Sequence, residues 1–161
     1  MPRFFVRKNQ IDLSDEGGIV TILGDDAHHI SRSLRMAKGD KIVVCDMQKT
    51  EYDCILCEFL PDRVTAKITE QRQTDTEPPF SVTLYQALPK GEKLDSIIQK
   101  SVECGVYKIV PFRSELCVVR LDAKDGEKKR ERWQRISESA AKQSGRGIIP
   151  EVSSPLDFNI A

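Results

Sequence analysis

No run of 18 apolar residues occurs anywhere in the 161-residue sequence, which excludes a helix that crosses a bilayer. The first residues, MPRFFVRKNQ, lack both the long apolar stretch and the small-residue cleavage site of an export signal, so the protein is expected in the cytoplasm with no membrane partner. Aromatic residues are scarce at 6%, with a single Trp. The five cysteines are odd in number and follow no regular framework, which excludes a disulfide scaffold and fits a reducing compartment. Net charge is zero, so overall charge selects no partner. GxGxxG, P-loop and GxSxG motifs are absent, which leaves dinucleotide, nucleotide-hydrolysis and α/β-hydrolase chemistry without support. What remains is 39% hydrophobic and 31% charged, the balance of a globular chain with one core or two small ones.

Up to about residue 72 the periodicity is that of short strands: RFFV, GIVTIL, DKIVVCD, EYDCILCEFL and DRVTAKITEQ. They are rich in β-branched or aromatic residues and punctuated by Asp, Gly and Pro, a pattern that predicts a small β-barrel. In the last, Val64, Ala66 and Ile68 alternate with Arg63, Thr65 and Lys67, an inward and an outward set. AHHISRSLRMA interrupts the strands. After Asp25 and Asp26, which suit an N-cap, it predicts a helix over 27–37, with Ala27, Ile30, Leu34 and Ala37 inward and His28, Arg32 and Arg35 outward.

RQTDTEPPF is polar and ends in Pro-Pro. It reads as a linker over 73–79 between a first unit, 1–72, and a second, 80–161. There SVTLYQAL predicts a strand, and Leu94, Ile97, Ile98, Ser101 and Val102 recur at helical spacing up to Gly105. YKIVPF is a second strand, LCVVR a short extended piece, and a basic helix runs from about Asp125 to Ser144 with Trp133, Ile136 and Ala140 inward. Gly145 ends it, before a strand IIPEV. This order implies a parallel sheet, with fewer helices than a sheet covered on both faces requires. Such an incomplete sheet predicts exposed edges and self-association, or partial disorder after about residue 112, with a symmetric partner as the simplest cover.

Several residues carry competing readings. Cys54 and Cys57 have CxxC spacing, yet residues three apart on a strand point to opposite faces, and no second pair completes a metal site. Adjacent His28 and His29 diverge on a helix and do not make a metal pair. From Arg120 to Arg146 nine Lys or Arg stand against five acids, which suits either a phosphate contact or a solvated helix face. Trp133 reads as packing. In SESAAKQSGR, small residues at 137, 139, 140, 141, 144 and 145 leave room beside a helix, and Glu138, Gln143 and Arg146 bring a carboxylate, an amide and a guanidinium around it. The same small residues equally permit close helix-to-sheet packing, with Gly145 as a C-cap.

Four blocks, MPRFFV, HHISRSLRMAKGDKI, QALPKGEKLDSIIQKSVECGVYKIVPF and RWQRISESAAKQSGRGIIPEV, together resemble the RsmE-type 16S rRNA (uracil-N3) methyltransferases, in that family's order and from one end of the chain to the other. The resemblance implies a PUA-like RNA-binding barrel followed by an α/β SPOUT domain whose trefoil knot binds S-adenosylmethionine. It also implies a homodimer that methylates N3 of a uridine in the decoding region of 16S rRNA in the small ribosomal subunit. By the same resemblance QSGR belongs to the catalytic pocket, so Glu138, Gln143 and Arg146 become catalytic candidates. Glu138 is then the acceptor of the uridine N3 proton, and Arg146 stabilises the anion or grips a phosphate. His28, Arg32, Arg35 and Lys38, with Arg3 and Arg113, become RNA-contact candidates.

The sequence departs from the family in two places. The family's GPEGG-like and LGxRILRxETA-like segments, which line the cofactor site, have no counterpart here, so that site is expected beyond Ala161 and the SPOUT domain is expected to be incomplete. Leu116 also stands where many members have arginine, which leaves Arg113 as the nearest guanidinium. A stand-alone RNA-binding protein without transferase activity is the alternative reading. No metal is expected.

Overall fold

A computed structural model describes residues 1–14, 17–119 and 122–158. It divides into two compact units, Met1–Thr76 and Glu77–Ala161. Among the described residues no helix is long and apolar enough to cross a membrane.

The first unit is a curled six-stranded sheet built from β1 (Arg3–Phe5), β2 (Ile11–Asp12), β3 (Ile19–Leu23), β4 (Lys41–Cys45), β5 (Thr50–Phe59) and β6 (Arg63–Gln73). Their order is β1-β4-β5-β6-β3-β2. Only the β1–β4 pair is parallel; the others run antiparallel. Alternation along β6 sends Val64, Ala66 and Ile68 into one core with Val20 and Ile22 of β3, Ile42 and Val44 of β4, and Leu56 of β5. Each Val, Ile or Leu among them contributes about 1.5–3 kcal/mol by leaving water. Irregularities at Asp53/Cys54 and Leu56/Glu58 bend β5, the local twist by which a sheet closes around a core. Cys54 is buried and its thiol is pushed up to about 12, chiefly by that burial. Cys57 is partly exposed, as opposite-facing strand positions require.

The helix expected over 27–37 forms only in part. The first helix, α1, is Gly24–His28, and a π-helical turn follows over His29–Ser33. Leu23 is the N-cap, without a side-chain cap hydrogen bond, so Asp25 and Asp26 lie in the first turn instead of capping it. Ala27 and Ile30 are buried as expected. Leu34, by contrast, is 40% exposed, because the wider turn shifts the residues after it off the inward stripe.

The second unit carries β7 (Thr83–Ala87), α2 (Lys93–Glu103), β8 (Lys108–Arg113), α3 (Ala123–Ser144), β9 (Glu151–Val152) and β10 (Leu156–Asp157). The sheet is parallel throughout. β7 pairs with one side of β8, and β9 and β10 pair with successive parts of the other. The expected strand over 148–152 shrinks to two residues and resumes at Leu156 after Ser153, Ser154 and Pro155. LCVVR forms no strand over 116–119, where Leu116 is 93% and Val118 80% exposed. Arg120, part of that stretch and of the basic run, lies outside the described residues.

The ends of α3 follow local chemistry. The Asp122 carboxylate accepts the Asp125 N–H at 2.7 Å, an N-cap bond. Gly145, at φ 73°, closes the C-terminus in the left-handed conformation that glycine adopts without Cβ strain. Between these ends the helix buries Trp133, Ser137, Ala140 and Ala141. Trp133 is therefore packing.

Candidate functional site

In the first unit the basic stripe is exposed and uncompensated. His28, Arg32, Arg35 and Lys38 are all exposed, and among the described residues no ion pair engages any of them. Three local features aim them. The Ser31 hydroxyl donates to the Ala27 carbonyl at 2.8 Å. The Leu34 N–H reaches back five residues to the His29 carbonyl at 2.9 Å. Arg35 takes φ 50°, which few non-glycine residues adopt. Arg35 and Lys38 thus leave the helix axis instead of continuing one straight stripe.

Arg3 is placed differently. Its guanidinium pairs with Glu51 at 2.5 Å, and the Arg3 side chain is 14% exposed. Glu51 also meets Arg72 at 3.1 Å, and Arg72 meets Asp53 at 2.6 Å. Burial raises the Glu51 carboxyl, but the Arg3 hydrogen bond and the two guanidinium charges outweigh it and hold the group below the usual carboxylate range. Arg3 thereby fastens the edge strand β1 across β4 to β5.

In the second unit the Gln143-Ser144-Gly145-Arg146 segment carries a buried ion pair. Arg146 donates from Nε to Glu77 Oε1 at 2.9 Å and from Nη2 to Glu77 Oε2 at 2.6 Å. Its remaining bonds go to the carbonyls of Val102 at 2.8 Å and Val106 at 3.0 Å. The Gly147 N–H also donates to Glu77 Oε1 at 2.9 Å. The two side chains are only 4% and 8% exposed. Burial pushes the Glu77 carboxyl up, and the bonds from Arg146 and the 147–148 backbone pull it further down, to a net lowered value. Between Val102 and Val106 sits Gly105 at φ 97°, where a Cβ would come within 2.6 Å of the Pro78 ring. Glu77 and Pro78 therefore clasp the end of α2 to the end of α3. All three guanidinium nitrogens of Arg146 are committed inside the protein, to Glu77 and two backbone carbonyls.

Glu138 pairs with Lys142 at 2.8 Å on the partly exposed side of α3, and Gln143 is exposed on the last turn. Among the described residues no hydrogen bond or ion pair joins Glu138, Gln143 and Arg146 to one another. On the buried side Ser137 donates to the Pro150 carbonyl at 2.7 Å. The Gln134 amide brackets the same segment, donating to Pro150 O at 3.2 Å and accepting from Val152 N at 2.8 Å. Of the small residues in SESAAKQSGR, Ser137, Ala140 and Ala141 are buried and serve close packing, while Ser139 and Ser144 are exposed.

At the carboxyl ends of β8 and β10 opens a cleft of about 740 Å³, lined by Arg113, Ser114, Leu116, Cys117, Asp157 and Phe158. This is where parallel sheets hold ligands. Arg113 is bound to Asp157 at 2.5 Å, and Leu116 projects into solvent. Among the described residues no group of three or more His, Cys, Asp or Glu is placed to hold a metal ion.

Sequence reasoning missed Glu77, which lay in a presumed linker, and Gln134. The only local signal at Glu77 is a lone carboxylate before Pro-Pro; its partner is 69 residues away.

Residues 76–161 match a family model described as an RNA methyltransferase domain, and residues 22–69 match one described as an RNA methyltransferase PUA domain. A ribosomal RNA small subunit methyltransferase E from Bacillus subtilis is 39% identical over 160 residues, which are 98% of this chain and 61% of that protein. A solved ribosomal RNA small subunit methyltransferase E from Neisseria gonorrhoeae, bound to S-adenosylmethionine, is 33% identical with a TM-score of 0.86, over 99% of this chain and 64% of that one. A methyltransferase from Legionella pneumophila, also holding S-adenosylmethionine, is 27% identical with a TM-score of 0.85 over the same shares. The chain thus spans somewhat under two thirds of the length of these relatives. With its second unit matched throughout and its first matched over most of the sheet, the chain belongs to the RNA methyltransferase domain family, in the branch that carries a PUA domain.

Proposed function

We propose that the protein serves S-adenosylmethionine-dependent N3-methylation of a uridine in the decoding region of 16S rRNA, as a ribosomal RNA small-subunit methyltransferase of the RsmE type. It would act in the cytoplasm as a homodimer. The observation that carries this reading is the likeness of the whole chain, both units in one order, to a cofactor-bound small-subunit rRNA methyltransferase.

The described residues do not by themselves fit the cofactor. The cleft at the sheet's carboxyl end has no enclosed apolar slot for an adenine ring, since Leu116 and Phe158 stand largely in solvent. Of its three charged groups, Arg113 and Asp157 neutralise each other, and Glu115 leaves the lining net negative. The residues of this chain therefore serve the RNA side. His28, Arg32, Arg35 and Lys38 supply phosphate contacts, an electrostatic interaction that weakens with salt. Uridine N3 is a weakly acidic imide nitrogen, and its proton must leave before the lone pair can react. In this reading Glu138, on the accessible side of α3 beside Lys142, is the carboxylate that accepts it. Arg146 and Glu77 hold the end of the same helix, so that the base keeps its orientation.

The openness of the cleft favours one second reading, an RNA-binding protein without transferase activity. The two separate in a single experiment: incubation of S-adenosylmethionine and unmethylated small ribosomal subunits with this chain extended by the portion that its relatives carry beyond the matched residues, followed by mass mapping of the rRNA. 3-Methyluridine that disappears with Glu138→Gln supports transfer and the base. Subunit binding with no methylated nucleoside, and no calorimetric heat with S-adenosylmethionine, supports the second reading.

A further inference from the structure

The first unit holds a second concavity that methyl transfer does not use. It lies between the 3-10 turn Lys8–Gln10 and the junction of β3 with α1, encloses about 310 Å³, and has Phe5, Val6 and Ile22 as its floor. Arg7, Asn9, Gln10, Leu23 and Asp26 form the rim. The volume is at the low end for small-molecule pockets, near that of one nucleotide and well below that of a dinucleotide.

Its wall is fixed before any ligand arrives. The Gln10 amide donates to the Thr21 carbonyl at 2.8 Å and accepts the Arg7 N–H at 2.9 Å, so Gln10 braces the turn against β3 and is fully engaged. The neighbouring Asn9 is exposed, and among the described residues no hydrogen bond engages its side chain. Leu23, 48% exposed, presents an apolar surface beside that amide. An apolar floor with one amide free to read an edge is the surface an unstacked base needs. Arg7 and Lys8, both exposed on the turn, are the cations for its phosphate, beside the Asp26 carboxylate that also lines the cleft, and the segment beyond the rim exposes His28, Arg32 and Arg35.

We propose that this cleft is a subsite for one unpaired nucleotide of single-stranded RNA, with the base against Leu23 and the apolar floor, Asn9 on its edge, and Arg7 at its phosphate. The proposal rests on the reading of the first unit as an RNA-binding unit. It adds a preference for single-stranded RNA, which the basic stripe alone does not supply, because phosphates are present in duplexes too.

The test is an amide NMR titration of the 161-residue chain with a uridine-rich 12-nucleotide RNA, single-stranded or annealed to its complement. The single strand should shift Phe5–Gln10 and Ile22–Leu23 together with Arg32–Lys38, and the duplex only the latter. Asn9→Ala should weaken the single strand by roughly fivefold, the worth of one hydrogen bond, and leave duplex affinity unchanged. Identical shift patterns for the two RNAs, or an Asn9→Ala chain with wild-type affinity for the single strand, overturn the subsite while RNA binding by the stripe stands. Absence of shifts with either RNA overturns the RNA reading itself.

Discussion

Glu77→Gln removes one charge and almost no volume from the buried clasp. What it leaves is the Arg146 guanidinium, 4% exposed, facing a neutral amide. A buried ion stripped of its partner costs about 3–5 kcal/mol, against a total domain stability of about 5–15 kcal/mol. For a unit the size of Glu77–Ala161, about 4–8 °C of melting temperature follows each kcal/mol, so the drop should be at least about 12 °C. Urea unfolding followed by Trp133 fluorescence reports on the second unit alone, since the sole Trp lies in α3. In the double variant Glu77→Gln/Arg146→Met the stranded charge is gone and stability should return in part. The recovery stays incomplete because the carbonyls of Val102 and Val106 lose their donor, at about 1–3 kcal/mol for each left unsatisfied. The pH dependence has a definite sign. The folded-state pKa of Glu77 is lowered, so its contribution is present above the unfolded value and disappears as pH falls through the folded one. The gap between wild type and Glu77→Gln should therefore narrow below about pH 4. A loss under about 1 kcal/mol at pH 7 would refute the clasp as a stabilising element.

Gly145→Ala meets nothing within 4 Å but must adopt φ 73°, so it should cost about 1 kcal/mol through backbone strain alone; a neutral result in chemical denaturation would contradict the cap. Gln134→Ala unpins Pro150 and Val152 and should cost about 1–3 kcal/mol, with faster hydrogen exchange at the Val152 amide; unchanged exchange there would deny the bracket. Among the thiols, burial pushes Cys45 up to about 11 and Cys54 to about 12, whereas Ser114 hydrogen bonds lower that of Cys117 and Cys104 is exposed. Iodoacetamide at pH 8 should therefore label 117 and 104 and spare 45 and 54 until the chain unfolds, and early labelling of Cys54 would contradict the packed sheet. Arg32→Ala should lower single-stranded RNA affinity regardless of sequence and reduce the salt slope by about 0.7 for the phosphate contact removed; an unchanged slope would take Arg32 off the RNA surface.

Much of the secondary structure was legible because its causes are local. The alternation at Val64, Ala66 and Ile68 sorts one strand into two faces whatever it packs against, and a glycine at 145 after a helical stripe stops that stripe because its neighbours cannot take positive φ cheaply. The candidate RNA stripe was legible for the same reason, as a run of cations within a dozen residues. Its shape was not, since whether the turn after His28 continues as α or widens to π depends on how Ile30 and Met36 meet the barrel core.

The candidate catalytic segment marks the boundary most sharply. Sequence alone suggested a carboxylate, an amide and a guanidinium gathered around small residues at the end of a helix. Only the tertiary structure decided that the guanidinium faces inward to Glu77 while Glu138 stays outward with Lys142. The reason is physical: helical periodicity fixes which residues share a face, but the sign of charge waiting on the buried side is contributed by a residue 69 positions away, and no local propensity encodes such a pairing.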